Sequence, residues 1–146
     1  MISPYDIPVT FRFQVEVEGA DADQDALFHE VSGLAAEVTT EDVREGGVND
    51  RVHRLPTGVQ RGNLVLRRGY LDDSQITTWC RDAIEGFRFE PRQVTVRLLD
   101  AEHAPLASWR FDGAYPVKWS LSNLGAQDNA LVIESLELAY RTLIQE

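Results

Sequence analysis

A mainly β fold with one short α-helix, arranged as a closed or nearly closed barrel or sandwich, is the class this sequence predicts. Three observations carry that prediction. One stretch near the N-terminus alternates apolar and polar residues with period two, several later stretches do the same between turn residues, and only one segment has a clear helical period.

In VTFRFQVEV, Val9, Phe11, Phe13, Val15 and Val17 alternate with Thr10, Arg12, Gln14 and Glu16. That is the signature of a strand with one buried face. Residues 63–70 (NLVLRRGY), 93–100 (QVTVRLLD) and 105–119 (PLASWRFDGAYPVKW) read likewise. The polar DAEHAP between the last two predicts a hairpin, with Pro105 and the loop length leaving its turn type open. The helix is DDSQITTWCRDAIEGF, in which Ile76, Trp79, Cys80, Ala83 and Ile84 fall at i, i+3, i+4, i+7 and i+8. Asp72, with Gln75 three residues on, is the expected N-cap, and Gly86 the expected stop. The C-terminal NALVIESLELAYRTLIQE fits two patterns. Val132, Leu136, Ala139, Tyr140 and Leu143 would stripe a helix, whereas Val132, Glu134, Leu136, Leu138 and Tyr140 would share a strand face with Glu134 as the polar exception.

With no repeat, low-complexity tract or linker, residues 1–146 are expected to form a single domain, long enough to bury roughly 70% of the unfolded chain's surface. Cys80 is the one cysteine, so no disulfide framework exists within the chain, and its place on the buried helix face predicts an inert thiol. The N-terminus has no cationic start before an apolar run, and no stretch approaches membrane-spanning length. Cytoplasmic synthesis and folding, with no direct membrane insertion, are therefore expected.

The net charge of −10 is unevenly placed. Residues 1–43 hold ten acids and one base, whereas residues 44–68 hold six bases and two acids. Duplex-binding domains carry a basic excess throughout, and here the surrounding acids would repel phosphates. A basic patch meeting an acidic patch on another subunit fits better. Thirteen of fourteen cations are arginine, which suits two-pronged pairing with carboxylates, though genome composition alone would also produce it.

Motifs for chemistry are incomplete. Asp21, Asp23 and Asp25 resemble the start of a calcium loop, but Ala26 stands where glycine is needed and Ser32 where glutamate is needed. His29, His53 and His103 lie far apart, which gives no zinc spacing and no metal site. GVQRGN is not a phosphate loop, EGG is not followed by a helix, and Ser32 has glycine on only one side. No catalytic residues and no cofactor are assigned, and the expectation is a protein that is not an enzyme.

That leaves REGGVNDRVHRLPTG, residues 44–58, rich in glycine and arginine and without sustained apolar period. By itself it reads as a surface turn, a ligand-cradling loop or an arm reaching another protein. The ordered succession FRFQVEVEG, FHEVSGLAAEV, REGGVNDRVHRLPTG, NLVLRRGY, WCRDAIEG, VTVRLLD, WRFDGAYPVKW and IESLELAY decides how to weigh these. It resembles the inner tail tube proteins of contractile phage tails and phage-tail-like contractile injection systems, over nearly the whole chain. EVSGL, EGG followed by Asn49, Leu55–Pro56, the NL.L.RG pattern and A.P.KW are specific in combination.

The resemblance implies a tail-tube fold related to the ring-forming tube protein of type VI secretion. It implies six copies to a ring, and rings stacked as a hollow tube inside a sheath. Partners would be the chain itself, sheath, baseplate or spike proteins, with cargo or DNA able to pass through the lumen of a particle that can be released. The long loop would be a subunit-interface arm comprising Arg44, Glu45, Gly46, Gly47, Val48, Asn49, Arg51, Arg54, Leu55 and Pro56. The helix with Trp79 would pack outside the barrel and help set ring contacts, and LVIESLELAY would be a strand closing the barrel. EGGVN and AYPVKW resemble the tube initiator at the baseplate more than the repeating shaft protein. The alternative from another class is a small-molecule or peptide-binding barrel that does not form rings, with residues 44–58 as a lid over its mouth.

Overall fold

The computed structural model describes residues 12–20, 27–44, 52–71, 74–122 and 132–146. The chain divides into two compact units, one of residues 1–32 and 63–146 and the other of residues 33–62.

The larger unit holds β1 (Arg12–Val17), β2 (Leu27–Phe28), β3 (Glu30–Ser32), β6 (Leu64–Gly69), α1 (Gln75–Gly86), β7 (Arg92–Leu99), β8 (Pro105–Leu121), β9 (Ile133–Ala139) and β10 (Thr142–Gln145). The smaller unit holds β4 (Ala36–Arg44) and β5 (Val52–Arg61). In the larger unit the hydrogen-bonded order is β2-β1-β7-β8-β9-β6-β3, with β10 on β8, and every pairing is antiparallel.

Period-two patterning explains the register. Val15 lies opposite Val96 and Val17 opposite Val94, while Leu64 faces Leu138 and Leu66 faces Leu136. All eight are buried, so each ladder places its apolar pairs on one face. Phe28, Phe111 and Ala114 complete that face, and α1 contributes Ile76, Trp79, Cys80 and Ala83. Burying a Val, Leu or Phe side chain is worth about 1.5–3 kcal/mol, so this shared face is the chief source of the unit's stability.

Several expectations need correction. The barrel is not closed. The ends of the strand path, β2 and β3, are separated in sequence by His29 alone, whose N–H donates to Arg67 O at 3.0 Å. No ladder joins β2 to β3 among the described residues, and β9 lies within the path instead of closing it. The cap of α1 is Ser74, whose Oγ accepts from Thr77 N at 3.0 Å. Asp72 lies outside the described residues. Gly86 is still helical, and Phe87 makes the left-handed stop, with its N–H on Ala83 O. Ile84 is exposed, not buried, because it lies about 10 Å further along the axis than Thr77, past the polar cluster that covers that side of the helix.

The ambiguous C-terminal segment is a strand, with Glu134, Leu136 and Leu138 all buried. Its partner β8 runs for 17 residues and changes neighbour on one side, pairing with β10 through Trp109–Asp112 and with β9 through Tyr115–Leu121. Gly113 sits at the change with φ 67°, where a Cβ would lie 3.3 Å from that of Arg141. A side chain there would be strained in backbone and crowded in space. The DAEHAP turn is held by Asp100, whose Oδ1 accepts from the N–H groups of Glu102 and Ala104, with His103 at φ 65°.

Candidate assembly interface

The unit of residues 33–62 is a two-stranded antiparallel hairpin. The expected loop from Arg44 to Gly58 is strand from Val52 onward, so Arg54, Leu55 and Pro56 lie within β5 and not in a turn. A bulge accommodates the Pro-Thr-Gly that reads as a turn in sequence. Thr39 pairs with Gly58 and Thr40 with Pro56, which leaves Thr57 as the extra residue, its hydroxyl donating to Thr39 O at 3.1 Å.

Every strand residue of this hairpin is exposed except half-buried Thr39. Val38 and Val59 are paired across the strands and both open to solvent, Val59 at 61% exposure; Val43, Val52 and Leu55 are open as well. Arg54 Nε sits 3.5 Å from Asp42 Oδ1 in an ion pair washed by water. Two-stranded hairpins are marginal by themselves in water, so a hairpin this apolar calls for a partner surface. Arg44 ends β4 and is exposed. Glu45, Gly46, Gly47, Val48, Asn49 and Arg51 lie outside the described residues.

The larger unit contains the opposite arrangement. On β6 and β9 the register that faces Leu64 with Leu138 and Leu66 with Leu136 next faces Arg68 with Glu134, on the same buried side. Arg68 Nε donates to Glu134 Oε2 at 3.2 Å, and its Nη2 donates to Ser74 Oγ and, at 3.1 Å, to Thr77 Oγ1. Glu134 Oε1 accepts from Trp119 Nε1 at 2.9 Å and from the Thr77 hydroxyl. The guanidinium lies 4.4 Å over the Phe28 ring. Four elements, β2, β6, β8 and β9, are thereby tied to the start of α1. Such a pair is tolerable in a dry interior because further hydrogen bonds occupy both charged groups.

Cys80 sits against this cluster and is fully buried. Burial pushes its thiol up to about 12, the Glu134 carboxylate adds to the rise, and the Arg68 guanidinium opposes it. A thiol so placed stays protonated at neutral pH and is a packing group. His29, His53 and His103 are all exposed. Among the described residues no three metal-ligating side chains converge.

A larger unit locked by its own interior, in a chain that also carries a long uncovered hairpin, defines a structural protein that assembles with others. The chain belongs to the T4-like virus tail tube protein gp19 family, whose sequence signature matches residues 9–144. Its role is that of a structural tube protein. It is similar in structure to a chain of the anti-feeding prophage baseplate, seen by cryo-EM with six-fold symmetry imposed: 27% identity, TM-score 0.79, covering 100% of this chain and 97% of that one. A chain of the extended PVC sheath-tube complex, an extracellular contractile injection system, shares the fold at 23% identity and TM-score 0.71, covering 99% and 94%. Hcp1 from Salmonella typhimurium shares it at 17% and 0.56, covering 93% and 85%. No curated protein matches the chain in sequence.

Sequence reasoning marked Glu134 only as a polar exception on a strand face and missed its pairing with Arg68, although the signal was present. Both occupy the inward positions of their alternating strands, Arg68 in phase with Leu64 and Leu66, and Glu134 in phase with Leu136 and Leu138. Opposite charges at two inward positions are a pairing signal.

Proposed function

We propose that this chain forms a six-subunit ring of the inner tube of a contractile injection particle, in the layer next to the baseplate. The observation that carries the reading is the likeness to the baseplate chain of the anti-feeding prophage, greater in identity and TM-score than that to the sheath-tube chain. The six-fold symmetry imposed on that baseplate supports six copies to the ring. Sheath and baseplate proteins are its neighbours, and the reading assigns it no catalytic step.

The contact between copies is made by the hairpin arm, with Arg44, Glu45, Gly46, Gly47, Val48, Asn49, Arg51, Arg54, Leu55 and Pro56. Support comes from the exposure of Arg44, Arg54 and Leu55 and of the valines around them. A ring needs head-to-tail contacts in which one patch meets a different patch of the next copy, and an arm provides one half of such a contact. The test is deletion of residues 46–54, followed by negative-stain electron microscopy and light scattering. Loss of rings with cooperative unfolding retained is the expected result. Unchanged assembly would remove the arm from the contact.

A further inference from the structure

Phe87 is anomalous in backbone and in exposure. It ends α1 in the left-handed conformation, φ 48° and ψ 45°, a region that costs a residue with a Cβ about 1–2 kcal/mol, while glycine stands one position earlier. Its side chain is 82% exposed. The ring meets Phe89 edge-on at 5.1 Å, and Phe89 meets Tyr115 at 5.9 Å, so three aromatic rings form a row, with exposed Ile84 on the preceding turn of α1. Exposed rows of this kind mark interaction sites, and aromatic side chains are the usual anchors of interfaces. Arg88, between the two phenylalanines, has no carboxylate partner among the described residues.

One face of the hairpin complements this row. It presents Glu37, Thr39, Glu41 and Val43 on β4 and, opposite them, Gln60, Gly58, Leu55 and His53 on β5. Leu55 is half exposed, and Glu37 and Glu41 have no cation partner among the described residues. We propose that this face of one copy's hairpin seats on the Phe87–Phe89–Tyr115 row of a second copy. Leu55 and Val43 lie against the rings, with a carboxylate of the hairpin beside Arg88. The proposal rests on the reading of the hairpin as an assembly arm and names the surface that receives it. Each chain has one arm and one row, so repetition of the contact covers both.

The experiment is disulfide trapping in the assembled protein with the pair Leu55→Cys and Phe87→Cys, and a second pair, Val43→Cys and Phe89→Cys. Cys80 is sealed and takes no part. On mild oxidation the double variants are expected to give ladders beyond the dimer on non-reducing gels, whereas each single variant stops at the dimer. Assembly without ladders from either pair, or a fast-migrating intrachain disulfide, would overturn the docking. Where substitution prevents assembly but leaves the melting temperature unchanged, loss in both single variants supports the contact and loss in only one refutes it. If the unsubstituted protein forms no rings or tubes, the tube reading beneath the proposal fails instead.

Discussion

Two arginine–carboxylate pairs of like chemistry mark the two ways this chain is built. Arg68 and Glu134 face each other across β6 and β9 and are sealed from water, each held by further hydrogen bonds. Arg54 and Asp42 face each other across β4 and β5, with side chains 79% and 61% exposed. The larger unit therefore carries its stability within itself. The hairpin displays valines and charges together on exposed strands, and a two-stranded ladder is marginal by itself in water.

This contrast can be broken first at the buried pair. Arg68→Leu strips the Glu134 carboxylate of its cation in a dry site and is expected to cost about 3–5 kcal/mol, read as a lowered denaturant midpoint. A loss below 1 kcal/mol would mean that the cluster is wetter than its geometry indicates. Next, Val43→Asp and Leu55→Asp in the hairpin should leave the unfolding midpoint of the unassembled chain almost unchanged while abolishing rings in electron micrographs. Equal loss of stability and assembly would show that the hairpin supports its own larger unit.

A smaller effect follows from Cys80. Its folded pKa lies above the unfolded value of 9.0, near 12, so the folded state favours the protonated thiol. The contribution is fully present below pH 9 and is lost as pH rises through the interval from 9 to 12, by about 1 kcal/mol at pH 10. Unfolding at pH 8 and pH 10 should show that slope in the parent and a shallower one in Cys80→Ala. The smallest expected change is that of Asp42→Asn, within about 1 kcal/mol in the unassembled chain, because water and salt screen the exposed pair.

Strand alternation made most of the larger unit legible in sequence, since Val15, Val17, Val94 and Val96 can be buried in only one phase. The helix was legible from Trp79, Cys80 and Ala83, but not its cap, because Asp72, Asp73 and Ser74 are all capable residues and only packing selects Ser74 to receive Arg68. Residues 36–44 gave no strand signal because an uncovered hairpin has no inward face to impose alternation. Pro56 and Gly58 concealed β5 for a different reason, since they read as turn residues until a bulge absorbs them. In the candidate arm, the basic composition singled out Arg54 and the family resemblance Leu55, whereas the Phe87 row arises from a turn that no linear period reveals.

The long strand β8 has a mechanical consequence. Residues Pro105–Ala114 are bonded on one side to β7, Trp109–Asp112 on the other to β10, and Tyr115–Leu121 to β9. At about 3.3 Å per residue its contour is roughly 55 Å, with Gly113 at φ 67° where it passes from one set of partners to the next. The two ladders on either side of Gly113 share one unbroken backbone, so a pull on one end of β8 is passed through that backbone into the bonds of the other.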